Sequence, residues 1–287
     1  MTHTYEPERP IWCAGCGDFG VQAALTKALT QLSVPPEDVV TIAGIGCSGT
    51  IQNNISFYGY HALHGRTLPT AIGVKLANPQ LTVIVAGGDG DGYAIGMGHL
   101  MHAFKRNPSI VYIVMNNGTY GLTKGQFSPT SDADFRGNVE ESIDAIWIGL
   151  SVGTTTFIAR GFAGYPDQLT RLMAEAIEHT HTNKGFAFLE VLSPCVTYND
   201  TYRLWKSAMV DLDADPSHSP DDRVAAYTKV NELRESGCIP IGMVYRGEHP
   251  SFETVSLSSL EHPMATQDIS VSVHATAYKT VMDSFKG

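Results

Sequence analysis

Five continuous apolar, β-branched runs constrain the fold of this chain more than any other feature. They lie at residues 38–47, 81–88, 109–117, 155–160 and 185–193. None alternates strictly between apolar and polar residues, which is typical of strands covered on both faces. Helical patterns separate several of the runs, for example at 19–32, 93–105 and 166–181. The alternation predicts an α/β fold with a mostly parallel sheet and helices on both faces.

The alternation weakens after residue 195, where polar stretches such as DLDADPSHSPDD (211–222) appear. We therefore expect residues 1–195 to form the main domain, including an N-terminal loop. Residues 196–287 are expected to form a C-terminal extension that packs on this domain or on a partner chain. The stretch 119–139 is rich in Gly, Ser, Thr and Asp and predicts a long loop, and loops of this length are usually functional.

Composition excludes several functional classes. The 287 residues include 19 Lys+Arg and 29 Asp+Glu, a formal net charge of −10, which argues against a nucleic-acid-binding surface. With 43% hydrophobic and 17% charged residues the chain is not disordered. It has no apolar run long enough to span a membrane and no secretory signal, so we expect no membrane partner and a cytoplasmic location.

Polar residues follow two neighbouring predicted strands. GGDGDG (87–92) comes directly after one strand, and NNGTYG (116–121) follows the next. The carboxyl ends of parallel strands meet at one sheet edge, where ligands bind in open α/β folds. Carboxylate, amide and carbonyl oxygens there suit Mg²⁺, and the glycines allow a diphosphate to approach the backbone. The pair of motifs predicts a magnesium–diphosphate site. For Asp91, a turn or helix N-cap role remains as good an interpretation as a cofactor contact.

The cysteines provide a second signal. Cys13 and Cys16 form a CxxC pair near the N-terminus, while Cys47 and Cys195 lie at the ends of predicted strands. The N-terminal loop could cover that edge and complete a set of four thiolates. Zinc and an iron–sulfur cluster both accept four cysteines, so spacing does not choose between them. Four ordinary buried cysteines are the remaining alternative, and Cys238 is interpreted as structural.

Five motifs stand out along the chain: WCAGCG (12–17), GIGCSG (44–49), HGRTLPTAIGVKLANP (64–79), GGDGDGYAIG (87–96) and NNGTYGLTKGQFSPTS (116–131). Together they resemble the β subunit of 2-oxoacid:ferredoxin oxidoreductases, enzymes that use thiamine diphosphate (ThDP) and a [4Fe–4S] cluster. The resemblance covers about residues 10–200. TKGQ, where pyruvate enzymes typically have TGGQ, resembles the branch that uses 2-oxoglutarate or a broad range of 2-oxo acids.

The resemblance implies a ThDP-binding fold of the diphosphate-binding type, and it implies four groups of site residues. The [4Fe–4S] ligands would be Cys13, Cys16, Cys47 and Cys195. The Mg²⁺ ligands would be Asp89, Asn117 and the Thr119 carbonyl. The residues lining ThDP would be Ile45, Gly46, Ser48, His64, Gly90, Asp91, Gly121, Leu122 and Thr123. His64 would be catalytic, with a structural histidine as the alternative.

The contacts to the substrate are the fourth group. Lys124 could attract a substrate carboxylate, although a solvated loop lysine is nearly as good an interpretation. Many broad-range relatives have a lysine after the third cysteine, where this chain reads SGTIQ (48–52), with Thr50 near that position.

The implied activity is the coenzyme A-dependent oxidative decarboxylation of 2-oxoglutarate, or the reverse reductive carboxylation of succinyl-CoA. Electrons would pass through the cluster to ferredoxin. Since only the diphosphate-binding type of domain is recognisable, a separate α subunit would supply the pyrimidine-binding domain in an αβ or α2β2 assembly. The alternatives are a pyruvate or broad-range enzyme of the same family, a non-redox ThDP decarboxylase or lyase, and a Cys₄ zinc protein.

Overall fold

The structure, a computed structural model, describes Tyr5, residues 8–259, residues 263–268, Ser270 and residues 274–286. Within them the strands are β1 (Val39–Ala43), β2 (Tyr58–His61), β3 (Thr82–Gly88), β4 (Val111–Asn116), β5 (Phe157–Phe162), β6 (Ala187–Leu192), β7 (Met209–Asp211) and β8 (Ile239–Arg246). The α-helices are α1 (Asp18–Gln31), α2 (Thr67–Ala77), α3 (Asp89–Tyr93), α4 (Met97–Arg106), α5 (Ala145–Leu150), α6 (Pro166–His181), α7 (Tyr202–Ala208), α8 (Arg223–Glu235), α9 (Phe252–Ser256) and α10 (Ala275–Ser284).

These strands form one sheet in the order β2-β1-β3-β4-β6-β5-β8-β7. Strands β1 to β6 all pair in parallel. Strand β8 runs antiparallel to β5, and β7 pairs in parallel with β8. The strand order reverses next to β1, because β2 lies on one side of it and β3 on the other. Ligands of open α/β sheets bind at such a reversal, outside the carboxyl ends of the strands.

Helices cover both faces of the sheet. Side chains alternate across a strand, so neighbouring residues of β4 enter different cores. Ile113 packs in one core with residues of α1 and α6, while Tyr112 packs in another with residues of α2, α4, α5 and α8. Strands β4, β5 and β6 are buried along their whole length. The predicted α/β fold, mostly parallel with helices on both faces, is confirmed.

Some elements differ from the sequence-based prediction. Each of the five predicted strands has a counterpart, and the helix at 166–181 begins and ends as expected. The helix expected at 93–105 is instead divided between α3 and α4 by the glycine-rich stretch around Gly96. The prediction missed β2, whose four residues, YGYH, are all exposed and form no apolar run. It also missed α2.

The expected C-terminal extension contributes α7 to α10 and two strands, β8, which pairs with β5, and β7, which forms the edge of the sheet. Strand β8 has the sequence IPIGMVYR. Proline and glycine are unusual inside strands, so Pro240 and Gly242 made this segment hard to predict as a strand. Residues 260–262, 269, 271–273 and 287 of that extension lie outside the described residues, as do residues 1–4, 6 and 7 of the expected main domain. No helix in the described part of the chain is long and apolar enough to cross a membrane.

A buried histidine beside the sheet makes stability depend on pH. The His179 ring packs on Phe157 with centroids 5.3 Å apart, and its Nε2 lies 2.9 Å from Thr156 Oγ1. Burial, followed by the positive charges of Lys184 and Arg246, lowers the pKa of His179 to about 4. Between about pH 6.5 and about pH 4, His179 is therefore protonated in the unfolded chain but neutral in the folded chain.

We expect the free energy of unfolding to fall as the pH drops from about 6.5 to about 4, by about 3 kcal/mol from this residue. Guanidinium unfolding at several pH values measures it. His179→Gln should flatten that part of the pH profile, while His102→Gln, at an exposed position, should leave the slope unchanged. Equal slopes for wild type and His179→Gln would contradict the assignment.

Candidate functional site

A cavity of about 100 Å³ opens at the carboxyl edge of the sheet, where the strand order reverses. The loops following β1 and β4 and the start of α3 line it, and His64 adds a fourth side. Each residue expected to contact ThDP or Mg²⁺ lines this cavity, whereas Lys124 does not. A larger cavity of about 660 Å³ lies at the opposite edge of the sheet, beside Lys75 and His181, and contains none of the expected site residues.

Asp89 lies at the start of α3, directly after β3, and is fully buried. Its Oδ2 accepts hydrogen bonds from Ser128 Oγ at 2.5 Å and Thr130 Oγ1 at 2.6 Å. Burial raises the pKa of Asp89 above its usual range, and these hydrogen bonds oppose the rise. None of these donors carries a positive charge, so a cation is the partner that would offset the cost of burying the carboxylate.

The turn after β4 presents further oxygens. Asn117 Oδ1 accepts a hydrogen bond from the Thr119 backbone N–H at 3.0 Å, an Asx turn that fixes the amide. Asn199 Nδ2 donates to the Asn117 carbonyl at 3.0 Å and holds the turn from outside. An amide oxygen has two lone pairs, so Asn117 Oδ1 keeps one for a ligand. The donor set of carboxylate, amide and carbonyl oxygens fits a hard divalent cation.

Asp91 connects the loop after β1 to the turn at Gly65 by hydrogen bonds. Its Oδ1 accepts the backbone N–H groups of Ile45 at 3.1 Å and Gly65 at 2.9 Å. A β-carbon at Gly44 would lie 2.3 Å from Asp91 Oδ2, so this close approach requires glycine. Asp91 lies inside α3, whose N-cap is Gly88, so it is not a helix N-cap. Its Oδ2 is buried and has no hydrogen-bond partner among the described residues, which leaves an acceptor for a bound ligand.

His64 lines the same cavity, next to Gly65, whose N–H donates to Asp91. Its Nδ1 is buried without a hydrogen-bond partner among the described residues. The ring lies 6.3 Å from the ring of Tyr120, which also lines the cavity and donates its hydroxyl to the Gly90 carbonyl at 3.2 Å. A histidine in the cavity wall with an unpartnered ring nitrogen suits a proton donor or acceptor toward a ligand.

Four of the cysteines lie together beside this cavity. A β-carbon at Gly121 would be 3.5 Å from Cys195 Sγ and 3.9 Å from Cys47 Sγ. Cys16 is close enough to Cys47 and Cys195 for their charges to interact, and Cys47 interacts in the same way with Cys13. Cys47 also lines the cavity. The structure therefore brings together the thiols that the sequence places at 13, 16, 47 and 195.

The N-terminal WCAGCG loop is fastened to both of the other cysteine segments. Trp12 Nε1 donates to the Cys47 carbonyl at 2.8 Å, and the Gly17 backbone N–H donates to the Pro194 carbonyl at 3.1 Å. A β-carbon at Gly17 would lie only 2.6 Å from Ser193 Oγ, so the loop can approach this closely only with glycine. These contacts hold the CxxC pair over the sheet edge.

Negative charge accumulates around the thiols. Burial and the charge of Asp18 raise the pKa of Cys47 to about 11 and raise that of Cys16 further. Burial also raises the pKa of Asp18 to about 6, although its Oδ1 accepts a hydrogen bond from Ser193 Oγ at 2.6 Å. Thiolates become stable in such a place only with a metal, whose positive charge displaces the protons.

No three His, Cys, Asp or Glu side chains in the described ranges are arranged around a single metal ion. A four-iron cluster has a different geometry, because each thiolate binds a different iron. Its sulfur ligands therefore stand further apart than those around one ion.

Comparisons with known proteins agree with this geometry. Residues 44–191 match the family model of the thiamine pyrophosphate enzyme C-terminal TPP-binding domain, and residues 195–258 match that of the C-terminal part of the pyruvate ferredoxin oxidoreductase β subunit. The chain is 43% identical over 256 residues to the 2-oxoacid:ferredoxin oxidoreductase β subunit of Saccharolobus solfataricus, covering 83% of this chain and 82% of the relative. This chain belongs to the 2-oxoacid:ferredoxin oxidoreductase β-subunit family.

Two further relatives have names that refer to 2-oxoglutarate. The 2-oxoglutarate synthase subunit KorB of Methanocaldococcus jannaschii is 36% identical over 200 residues, covering 68% of this chain and 72% of the relative. The 2-oxoglutarate:ferredoxin oxidoreductase of Magnetococcus marinus, solved with 2-oxoglutarate, coenzyme A and succinyl-CoA bound, matches with a TM-score of 0.83 and 33% identity. That match covers 96% of this chain and 94% of the other. The family resemblance inferred from the motifs is confirmed.

Lys124 of this β subunit is exposed and adopts a left-handed backbone with φ of 77°. Its backbone N–H donates to the Gly121 carbonyl at 3.1 Å, so the residue closes a turn beside the cavity. A non-glycine residue with such a φ stores strain. The TKGQ motif thus carries a lysine where glycine would be more stable.

No role was predicted from the sequence for Ser128, Thr130, Tyr120 or Asp18. Three of them lie in the long loop or its first turn, whose Ser- and Thr-rich composition is typical of solvated loops. The only signal in the sequence was the length of that loop. The contacts of Ser128, Thr130 and Tyr120 with Asp89 and Gly90 appear only when this loop folds back over the sheet edge. Asp18, at the start of α1, comes close to the thiols through the tertiary fold.

The geometry predicts that Asp89→Asn, which keeps the shape and removes the charge, weakens the binding of Mg²⁺ and ThDP by about 100-fold or more. Calorimetric titration of ThDP at several Mg²⁺ concentrations measures this. Asp132→Ala, at an exposed position in the same loop, is the matched control and should bind normally. Unchanged affinity in Asp89→Asn would rule out the cation site.

Proposed function

We propose that this β subunit holds ThDP through Mg²⁺ in the 100 Å³ cavity and one [4Fe–4S] cluster on Cys13, Cys16, Cys47 and Cys195. The enzyme would carry out coenzyme A-dependent oxidative decarboxylation of 2-oxoglutarate, or the reverse reaction, with ferredoxin as its electron partner.

One observation carries this proposal: the cavity and the thiols share a wall. Cys47 belongs to both, and Gly121 lines the cavity while lying next to the sulfur atoms of Cys47 and Cys195. A group that accepts electrons singly would therefore stand directly beside the bound cofactor. A structural zinc ion does not accept electrons, so its position beside the cofactor would serve no purpose in the reaction.

The protein groups have distinct roles. Asp89, Asn117 Oδ1 and the Thr119 carbonyl would hold the cation, and the backbone after β3 would approach the diphosphate. When bound, ThDP supplies the electron sink for decarboxylation of a 2-oxo acid, and the cluster takes up the electrons. Ile45, Gly46, Ser48, Gly90, Asp91, Gly121, Leu122 and Thr123 would line the cofactor. His64, with its free Nδ1, would move or hold a proton near the reacting carbon.

A second subunit is needed to complete the site. Pockets for ligands of cofactor size measure about 300 to 1,000 Å³, and this cavity holds about 100 Å³. Two apolar side chains that line the cavity, Ile45 and Leu122, are 37% and 54% exposed. The outer rim of the cavity is therefore apolar. The family name itself denotes one subunit of a larger enzyme. We infer that this rim is covered by an α subunit that supplies the pyrimidine-binding wall, in an αβ or α2β2 assembly.

The substrate assignment is supported by the relatives. The Magnetococcus marinus structure contains 2-oxoglutarate, coenzyme A and succinyl-CoA, and KorB proteins bear the name 2-oxoglutarate synthase. A pyruvate or broad-range 2-oxo acid enzyme is the second candidate, favoured by the name of the Saccharolobus solfataricus relative. Lys124, in the turn after Leu122, would attract the distal carboxylate that 2-oxoglutarate has and pyruvate lacks.

Two further assignments belong to this proposal. The boundary at residue 195 would separate the ThDP-binding domain from the C-terminal extension, and the two family models meet at the same place. The five cysteines, all unpaired, suit a reducing compartment, the cytoplasm.

Lys124→Gly tests the substrate contact without adding backbone strain, because glycine tolerates the left-handed φ. In the αβ complex we expect the KM for 2-oxoglutarate to rise about tenfold, and the KM for pyruvate, if it is turned over, to stay constant. Lys105→Gly, on the exposed end of α4, is the control. Equal changes for both 2-oxo acids would exclude a role in carboxylate selection.

Cys195→Ser tests the cluster. The complex purified without oxygen should be brown and contain iron and sulfide, and Cys195→Ser should lose iron. Cys238→Ser, in the turn between α8 and β8, should keep it. A colourless protein with stoichiometric zinc would contradict the redox proposal, and decarboxylation without reduction of ferredoxin would indicate a non-redox ThDP enzyme.

A further inference from the structure

Two hydroxyl groups from the FSPTS stretch (127–131) meet at one oxygen of Asp89. Ser128 Oγ and Thr130 Oγ1 lie 2.5 and 2.6 Å from Oδ2, and Ser128 is buried. An sp² oxygen accepts two well-aligned hydrogen bonds. These two donors therefore occupy Oδ2 and leave Oδ1 as the oxygen for a cation.

The same stretch is fastened to the turn that carries the other cation ligands. Ser131 Oγ donates to the Gly118 carbonyl at 2.7 Å and accepts the Ser128 backbone N–H at 2.7 Å. Thr119 Oγ1 donates to the Gln126 carbonyl at 2.8 Å. The loop thus closes on itself and holds Asp89 and the turn at 117–119 at a set distance from each other.

Thr130 also touches the buried polar network under the site. Its Oγ1 lies 2.9 Å from Asn116 Oδ1, and Asn116 Nδ2 lies 3.4 Å from Glu190 Oε1. Glu190 is fixed in β6 by Arg160 Nε at 2.6 Å and by the Tyr93 hydroxyl at 2.7 Å. The single proton of the Thr130 hydroxyl goes to the nearer, charged acceptor, Asp89 Oδ2, so Asn116 Oδ1 is a neighbouring contact and not a second full hydrogen bond. Thr130 thus packs the loop against the buried centre of the sheet.

We propose that Ser128 and Thr130 are positioning residues that orient the Asp89 carboxylate for a divalent cation before the cation and the diphosphate arrive. The inference rests on the proposed ThDP–Mg²⁺ site and adds two residues that act through Asp89. Groups that orient a metal ligand are usually worth 10–100-fold in metal affinity. Removing either hydroxyl leaves the ligand set intact and frees the carboxylate to rotate.

Thr130→Val tests the proposal, because valine keeps the shape and loses the hydroxyl. The αβ complex is stripped of ThDP and Mg²⁺ with a chelator, and ThDP is then titrated calorimetrically at a series of Mg²⁺ concentrations. We expect the Mg²⁺ affinity to fall about 10–100-fold. At saturating Mg²⁺ and ThDP the kcat should return to within about twofold of wild type, since no reacting group is lost.

Two controls separate positioning from general loss of structure. Thr130→Ser keeps the hydroxyl and should restore most of the affinity. Thr154→Val removes a threonine hydroxyl that donates to the Phe104 carbonyl at 2.7 Å, away from the site, and should bind Mg²⁺ normally. The thermal midpoint of the cofactor-free complex should be similar for the Thr130→Val and Thr154→Val variants.

Mg²⁺ affinity in Thr130→Val equal to that in Thr154→Val, alongside a loss in Asp89→Asn, would overturn the positioning role alone. Unchanged affinity in Asp89→Asn would overturn the cation site and the positioning role together. A similar loss in Thr130→Ser and Thr130→Val would also contradict the proposal, because the hydroxyl would then not be the group that matters.

Discussion

The site depends on the alignment of four adjacent parallel strands. Strands β1, β3, β4 and β6 are neighbours, and their carboxyl ends are followed by Cys47, Asp89, Asn117 and Cys195. Their registers place the ends level, with Ala43 opposite Ala86 and Asn116 opposite Leu192. Hydrogen bonding between strands therefore brings together residues that are far apart in the chain. A ThDP-type cavity and a set of thiols can share one wall because of this alignment.

Buried negative charge is the second constraint. Asp18, Asp89 and Asp91 are each almost fully buried at this edge, and their hydrogen-bond partners are hydroxyls and N–H groups. Burial without a positive partner costs free energy. Below them the buried Glu190 is paired with Arg160 and needs nothing further. Glu190 thus has a counter-ion on a neighbouring strand, whereas Asp18, Asp89 and Asp91 form no ion pair with any described residue.

Some features could be predicted from the sequence because local chemistry dictates them. Strands covered on both faces must be continuously apolar, so the five runs were visible. The glycines and aspartates after β3, taken together with the asparagines after β4, predicted a magnesium–diphosphate site. Strand β2 could not be predicted, since its side chains are exposed and carry no pattern. Strand β8 was hidden because its proline and glycine usually interrupt strands. The role of Thr130 was hidden because a loop hydroxyl has no signature until its partner is known.

The sequence by itself determined the α/β class, the family, and the kinds of ligand atoms available. Those properties depend on composition and spacing, which act locally along the chain. Only the tertiary structure decided that Cys47 faces the cavity and the thiols at once, that Asp91 joins two cavity walls, and that Ser128 and Thr130 clamp Asp89. Such contacts arise from strand order and loop closure, which bring distant residues within hydrogen-bonding distance. No local pattern of amino acids encodes that proximity.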